Sequence, residues 1–240
     1  MNPSEALSDS ALVVAHPDDE VLWFSAILEQ VSSLICCFGD CADLPELGAA
    51  RRSAMNDYPL GTLTFLDRPE PCSLSLVDWQ HPNASEYGMA ANAPGHDPAG
   101  EARYANSYRA LVSDLRRALR GVRHVFTHNP WGEYGHPDHV QVARAVTSLQ
   151  AELGFGVLHS NYIAPRSMAF AAGFLPNLAS AFRLPTNPSL AARIKSVYEK
   201  HGAWTWNRAY APPPEEAFLV QTTTPPTEAD QIPLNCLMTT

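Results

Sequence analysis

The sequence predicts an α/β protein in which helices cover both faces of a doubly wound, mostly parallel sheet, with long loops over its carboxyl-terminal edge. The first observation is an alternation along the chain between short apolar runs and segments of helical periodicity, which is typical of strand–helix–strand units. The second is composition, since the 240 residues are 45% hydrophobic and 17% charged, enough for one buried core. These values exclude disordered, coiled-coil and small disulfide-rich proteins.

Each predicted strand is a short apolar run that ends at a polar or turn-forming residue. The strands are predicted at residues 11–15, 34–38, 63–66, 122–127 and 155–159. Helical patterns lie at residues 19–30, 47–58, 101–120, 137–153 and 189–201. In a doubly wound sheet of strand order 3-2-1-4-5, the carboxyl ends of the first and fourth strands flank the crevice where ligands bind.

The chain is predicted to form a single domain over residues 1–240, with the motif-bearing core at about 10–160 and a substrate-loop region at about 161–240. Residues 69–100 are rich in Pro, His, Asn and Gly and have no periodicity. A stretch of this length without secondary structure is too long for an ordinary connection, so we expect it to be functional.

Charge and hydropathy limit the classes of partner. With 25 acidic and 16 basic residues the net charge is −9, which disfavours nucleic acid. The opening MNPSEALSDS has acids where a signal peptide carries basic residues, and no segment approaches the ~18 apolar residues of a membrane helix. We therefore expect a cytoplasmic protein with no integral membrane segment; a homo-oligomer is compatible with the sequence.

Two related motifs follow the first and the fourth predicted strand. They are AHPDDE at residues 15–20 and HPDH at residues 136–139, although composition predicts only roughly 0.04 copies of His-Pro-Asp. Helix capping explains the acids of the first motif but not His16. Imidazoles and carboxylates that converge on one crevice favour an open zinc site. From the residues alone, either His136 or His139 can be the ligand of the second motif.

On these two motifs, over roughly residues 12–146, the chain resembles the PIG-L/LmbE-like family of zinc-dependent N-acetylglucosaminyl deacetylases, whose sheet is Rossmann-like. The resemblance implies Zn²⁺ as the cofactor and His16, Asp19 and His139 as its ligands. It also implies that Asp18 is the general base toward water activated by the metal.

The same resemblance assigns further catalytic roles. It implies that His136 stabilises the tetrahedral intermediate or protonates the leaving amine, that Asp138 orients His136, and that Tyr134 assists the oxyanion. Two segments depart from the family pattern: RRSAMNDYPLG lacks a Glu that often follows its arginines, and NPWGEY replaces a commoner Asp-containing form. Neither departure affects a presumed ligand, so they concern substrate choice.

The expected substrate is a small-molecule N-acetylated amino sugar or glycoconjugate. Trp131, Trp204 and Trp206 offer flat apolar faces for sugar rings, and Arg68 is a candidate for binding a phosphate of a linked group. The predicted function is a zinc-dependent hydrolase that removes the N-acetyl group, with a larger conjugate preferred over free N-acetylglucosamine. The alternatives are a metal-dependent phosphoesterase or other amidase, and a non-catalytic glycan-binding pseudoenzyme.

Overall fold

The computed structural model describes residues 1–41, 44–222 and 234–237. Its strands are β1 (Ser10–Val14), β2 (Ser33–Asp40), β3 (Leu63–Pro69), β4 (Ala84–Ser85), β5 (Gly88–Met89), β6 (His124–Thr127), β7 (Gly156–Ser160), β8 (Tyr162–Ile163), β9 (Leu178–Pro185), β10 (Glu215–Gln221) and β11 (Asn235–Cys236). Its helices are α1 (Pro3–Leu7), α2 (Asp19–Trp23), α3 (Pro45–Asn56), α4 (Pro98–Ala118), α5 (Pro137–Leu153), α6 (Met168–Ala171) and α7 (Pro188–His201).

Within the described residues, the central sheet has seven strands in the order β3-β2-β1-β6-β7-β10-β9. The first five are parallel and correspond to the predicted order 3-2-1-4-5, which confirms the predicted α/β fold. The other two were not predicted: β10 pairs antiparallel with both β7 and β9. They come from the region after residue 160, where β9 is only partly buried and therefore lacks the continuous apolar pattern of a central strand.

The two faces of the sheet bury separate apolar layers. Along β1, Leu12 and Val14 pack in a cluster with residues of α2, α3 and α7. The alternate residues Ala11 and Val13 pack with α4 and α5 on the opposite face. Because successive side chains of a strand point to opposite faces, helices cover both sides, as the sequence predicts.

The first motif helix is much shorter than predicted. The sequence indicates a helix over residues 19–30, whereas α2 ends at Trp23. The reason is a pair of long-range hydrogen bonds: the amides of Ser25 and Ala26 donate to the Glu216 carboxylate of β10, at 3.2 and 2.9 Å. Those amides would otherwise continue the helical ladder.

Helix α4 begins earlier than predicted because Asp97 caps it, accepting hydrogen bonds from the amides of Ala99 and Gly100. Helix α5 spans 137–153, as predicted. Among the described residues, no helix has both the length and the apolar character needed to cross a membrane.

Candidate active site

The two sequence motifs meet at one edge of the sheet. Strand β1 leads into residues 15–18 and α2, and β6 leads into the loop that precedes α5. Since β1 and β6 are parallel neighbours, their carboxyl ends carry both motifs to the same place. The ring of His16 lies 5.4 Å from that of His139 and 4.8 Å from that of His136, centroid to centroid.

One group within this cluster has the composition of a metal site. His16, Asp19 and His139 are buried, and each offers a ligand atom within 4.8 Å of the others. Asp19 Oδ2 lies 3.3 Å from His16 Nδ1, and Asp19 Oδ1 lies 3.3 Å from His139 Nε2. Two imidazoles and a carboxylate are the donors of an open zinc site.

The imidazole of His139 supports this arrangement most directly. Its Nδ1 lies 2.8 Å from Glu133 Oε2, so this nitrogen donates to the carboxylate. Its Nε2 is buried and makes no hydrogen bond of good geometry in the described part of the chain, and Asp19 Oδ1, 3.3 Å away, is a carboxylate oxygen that cannot donate to it. A buried lone pair without a donor is costly, and a metal ion at this position satisfies it. The residues present therefore fit a metal.

Carboxylates surround the imidazole of His16. Its Nε2 lies 3.3 Å from Asp138 Oδ2 and 3.5 Å from Glu70 Oε1. Burial acts to lower the pKa of His16, but Glu70, Asp138 and Asp19 outweigh it and raise that pKa to about 10. The same negative potential attracts a divalent cation.

Asp138, which is predicted to orient His136, contacts it through the backbone and not through the carboxylate. Its carboxylate contacts Nε2 of His16 and accepts a hydrogen bond from the hydroxyl of Ser73. His136 is contacted instead through the backbone, because the Asp138 amide donates to Nδ1 of His136 at 3.2 Å. His136 is thus the N-cap of α5, and the Asp138 side chain contacts His16. Ser73 lies in the loop 69–100 and has no motif that marks it.

His136 is held as a neutral imidazole. Burial lowers its pKa well below the ordinary range, and the facing His16 and His139 act in the same direction, although Asp138 opposes them. Because Nδ1 accepts the Asp138 amide, the proton of this tautomer sits on Nε2. His136 can therefore donate a hydrogen bond from Nε2.

Asp18 lies beside the ligand group with a left-handed backbone, φ 100°. Its Oδ2 accepts hydrogen bonds from Thr205 Oγ1 at 2.7 Å and from the Thr205 amide at 3.2 Å. Burial and the neighbouring Asp19 raise the pKa of Asp18 to about 7. A base with this pKa suits catalysis near neutral pH. Thr205 follows α7, 187 positions after Asp18 in the sequence, and no motif marks it.

A second layer of buried groups lies behind His139. Glu133 Oε2 accepts from His128 Nδ1 at 3.1 Å as well as from His139. Burial opposes ionisation, but His128 and His139 lower the pKa of Glu133 to about 2. Sequence reasoning missed both His128 and Glu133. Two features of the sequence could have indicated them. His128 directly follows the fourth predicted strand, and Glu133 is an acidic residue between two glycines in GEYG.

Comparison with known proteins agrees with this geometry. Residues 11–150 match the family model described as PIG-L, GlcNAc-PI de-N-acetylase. The chain belongs to the PIG-L family. This confirms the resemblance drawn from the two motifs, and with it the enzyme class of a deacetylase and zinc as the cofactor.

The curated relatives of this chain include two enzymes named 1D-myo-inositol 2-acetamido-2-deoxy-alpha-D-glucopyranoside deacetylase. The one from Nocardia farcinica is 28% identical over 224 residues, covering 78% of this chain and 72% of the relative. The one from Segniliparus rotundus is 30% identical over 173 residues, covering 64% of this chain and 53% of the relative. The chain thus spans between about half and three quarters of these relatives.

Among solved structures, the fold resembles a deacetylase of the teicoplanin biosynthesis pathway, determined in complex with teicoplanin. The TM-score is 0.53 at 14% identity, covering 89% of this chain and 99% of that one. The A40926 pseudoaglycone deacetylase matches with a TM-score of 0.50 at 13% identity, covering 90% and 98%. At these identities the likeness concerns the fold.

The aromatic residues predicted to bind sugar divide into two groups. Trp206 is partly buried, and its ring lies 5.1 Å from that of Tyr134 and 5.5 Å from that of Trp23. Tyr134 in turn lies 5.4 Å from the ring of His139. Trp204 packs instead on Tyr198 and Tyr210. Of the two tryptophans after α7, Trp206 is therefore the one that lies beside the site.

The structure corrects the prediction for Trp131 and shows a partner for Arg68 on α4. Trp131 is fully buried, and its indole N–H donates to the carbonyl of Tyr162 at 2.8 Å; it has no face to offer a sugar. Arg68 pairs with Asp114 of α4, a carboxylate that Arg117 also contacts. The buried arginine next to the site is Arg51, which pairs with Glu70.

Proposed function

We propose that this chain hydrolyses the N-acetyl group of an amino sugar or small glycoconjugate, with His16, Asp19 and His139 as the zinc ligands. The observation that carries the ligand assignment is the buried, unpartnered Nε2 of His139, which faces Asp19 in the group that includes His16. The names of the curated relatives, which act on an acetamido sugar linked to inositol, support the substrate class.

A bound zinc ion supplies a Lewis acid that polarises the amide carbonyl and lowers the pKa of water. Asp18 then receives the proton of the attacking water. Thr205 occupies Oδ2 of Asp18, which leaves Oδ1 as the accepting atom. With a pKa of about 7, Asp18 can take this proton and return it to the amide nitrogen as the C–N bond breaks, which releases acetate and the free amine.

His136 and Tyr134 act on the charge that develops at the former carbonyl oxygen. His136 donates from Nε2, since its Nδ1 is held by the Asp138 amide. The ring of Tyr134 lies 5.7 Å from that of His136, which places a phenol on the same side of the site. Fixed donors at this position stabilise the transition state more than the ground state.

The charges of the site favour a neutral substrate over a phosphate ester. Asp18, Asp19, Glu70 and Asp138 bring four carboxylates together. The buried cation Arg51 is already paired with Glu70. With Arg51 already paired, a phosphate dianion would depend on the metal and on His16 to offset these carboxylates, whereas a neutral N-acetyl amide would not. The exposed part of Trp206 offers a face on which a sugar ring can stack.

The deciding experiment measures products released by zinc-loaded protein. The panel contains N-acetylglucosamine, an N-acetylglucosaminyl inositol, an N-acetyl amino acid and a sugar phosphate. We expect acetate release, fastest from the glycoside, and release from Asp18→Asn protein that is about 10²- to 10⁴-fold slower. Phosphate release would support a phosphoesterase. Release from the amino acid alone would overturn the sugar assignment, and zinc binding with no product would support a glycan-binding pseudoenzyme.

The preference for a larger conjugate, the cytoplasmic location, the single-domain organisation and formation of a homo-oligomer remain predictions. Each has its own measurement: kcat/KM across conjugates, fractionation of cells, limited proteolysis, and the mass of the purified protein in solution.

A further inference from the structure

A strained residue stands directly behind the candidate metal ligands. Glu133 has a left-handed backbone, φ 51°, between Gly132 and Gly135, which have φ 70° and 88°. Glycine adopts this conformation without steric cost, while a residue with a Cβ does not. The chain nevertheless places a long acidic side chain here and buries it fully. Strain of this kind at a functional site points to a role for the side chain.

We infer that Glu133 is a positioning residue that presents the Nε2 lone pair of His139 to the metal. This inference rests on the proposed function. The first support is hydrogen bonding: Oε2 of Glu133 accepts from Nδ1 of His139 at 2.8 Å and from Nδ1 of His128 at 3.1 Å. Since a carboxylate only accepts, the proton of His139 is fixed on Nδ1 and its Nε2 is left as a lone pair.

The carboxylate itself is held on its other oxygen. Oε1 of Glu133 accepts from the amide of Asn129 at 3.0 Å and from the hydroxyl of Ser160. The Asn129 side-chain oxygen in turn accepts the Glu133 amide at 2.9 Å. With both oxygens engaged, the carboxylate cannot rotate away from His139.

The plane of the His139 ring is fixed as well. The ring of His128 stacks on it at 4.0 Å with an interplanar angle of 22°. His136 stacks on it too, at 4.8 Å and 18°. His128 is anchored in turn, because the Ala15 amide, next to His16, donates to its Nε2 at 2.9 Å. Glu133 therefore links the end of β6, the start of α5 and the end of β1.

A carboxylate that receives the distal N–H of a metal-bound imidazole orients the ring and raises its basicity. Removal of such a group typically lowers metal affinity 10- to 100-fold. The inference therefore predicts an effect on metal affinity that is separate from any effect on folding.

The test compares metal affinity, by competition with a chelator, in wild type, Glu133→Gln, Glu133→Gly and Glu216→Gln. Glu216 is a matched control: it is also a buried carboxylate, and it accepts from Ser25, Ala26 and Tyr162 without contact to a proposed ligand. Glu133→Gly relieves the backbone strain and removes the carboxylate. We expect both Glu133 variants to bind zinc about 10- to 100-fold more weakly, and Glu216→Gln to match wild type.

A spectroscopic measurement separates positioning from folding. The visible absorption of the cobalt-substituted protein reports ligand geometry, and it should change in the Glu133 variants while remaining unchanged in Glu216→Gln. Equal zinc affinity and equal cobalt spectra in Glu133→Gln and wild type would overturn the inference. If the Glu133 variants do not fold, NMR of zinc-loaded wild type labelled with ¹⁵N-histidine decides: His139 must be protonated at Nδ1, and a metal-bound Nδ1 refutes the inference. A wild-type protein that binds no zinc at all would instead refute the proposed function.

Discussion

Replacement of Glu216 by Gln should change the pH dependence of stability. Glu216 is fully buried where β10 meets the segment after α2. Burial outweighs the hydrogen bonds from Ser25, Ala26 and Tyr162 and raises its pKa from 4.5 to about 7. The folded state thus holds the proton more tightly than the unfolded state. The resulting stabilisation is fully present below pH 4.5 and is lost as pH rises through 7.

The size of the effect follows from the two pKa values. Between pH 5 and pH 8, a shift from 4.5 to about 7 removes about 2.5 kcal/mol from the free energy of unfolding. Glutamine does not titrate, so the variant lacks this contribution. The advantage of wild type over Glu216→Gln should therefore shrink by about 2.5 kcal/mol over that interval.

Urea denaturation of both proteins at pH 5, 6, 7 and 8 measures this difference directly. Taking the difference cancels the titration of every other group that the two proteins share. A difference that stays constant across the four pH values would refute the reasoning, since it would mean that the hydrogen bonds to Glu216 keep it ionised throughout.

Three further predictions concern the metal and the chemistry. His16→Ala and His139→Ala should each lose bound zinc by elemental analysis; unchanged stoichiometry would show that the ligands lie elsewhere. Asp18→Asn should keep its zinc and lose about 10²- to 10⁴-fold in rate, whereas loss of the metal would make Asp18 a ligand. His136→Gln and Tyr134→Phe should lower kcat more than they raise KM in steady-state assays; a change confined to KM would assign them to substrate binding.

The convergence of the two motifs was predictable because it depends on local pattern and sheet topology alone. His16 and His139 each follow the end of a parallel strand, and neighbouring parallel strands end at the same edge. The strand order, and the way in which successive side chains of β1 point to opposite faces of the sheet, can be predicted without knowing any contact between distant residues. For that reason the core of the fold and the place of the site follow from the sequence.

What the sequence did not predict depends on contacts between distant parts of the chain. Helix α2 ends early because of Glu216, whose partner Ala26 is 190 positions away. Asp18 is bound by Thr205, 187 positions away. Trp131 is predicted to offer a face to a sugar ring, but the Tyr162 carbonyl accepts its N–H within the core. No periodicity or local motif encodes these pairings, so only the folded structure shows them.

The contact between Thr205 and Asp18 has a consequence for how such enzymes diversify. The family match ends at residue 150, yet the environment of the presumed base includes a hydroxyl and an amide from beyond that point. A single change at position 205, outside the shared motifs, alters the acidity of Asp18 without touching a ligand. Residues beyond position 150 can thus tune the working pH while the metal-binding motifs stay the same.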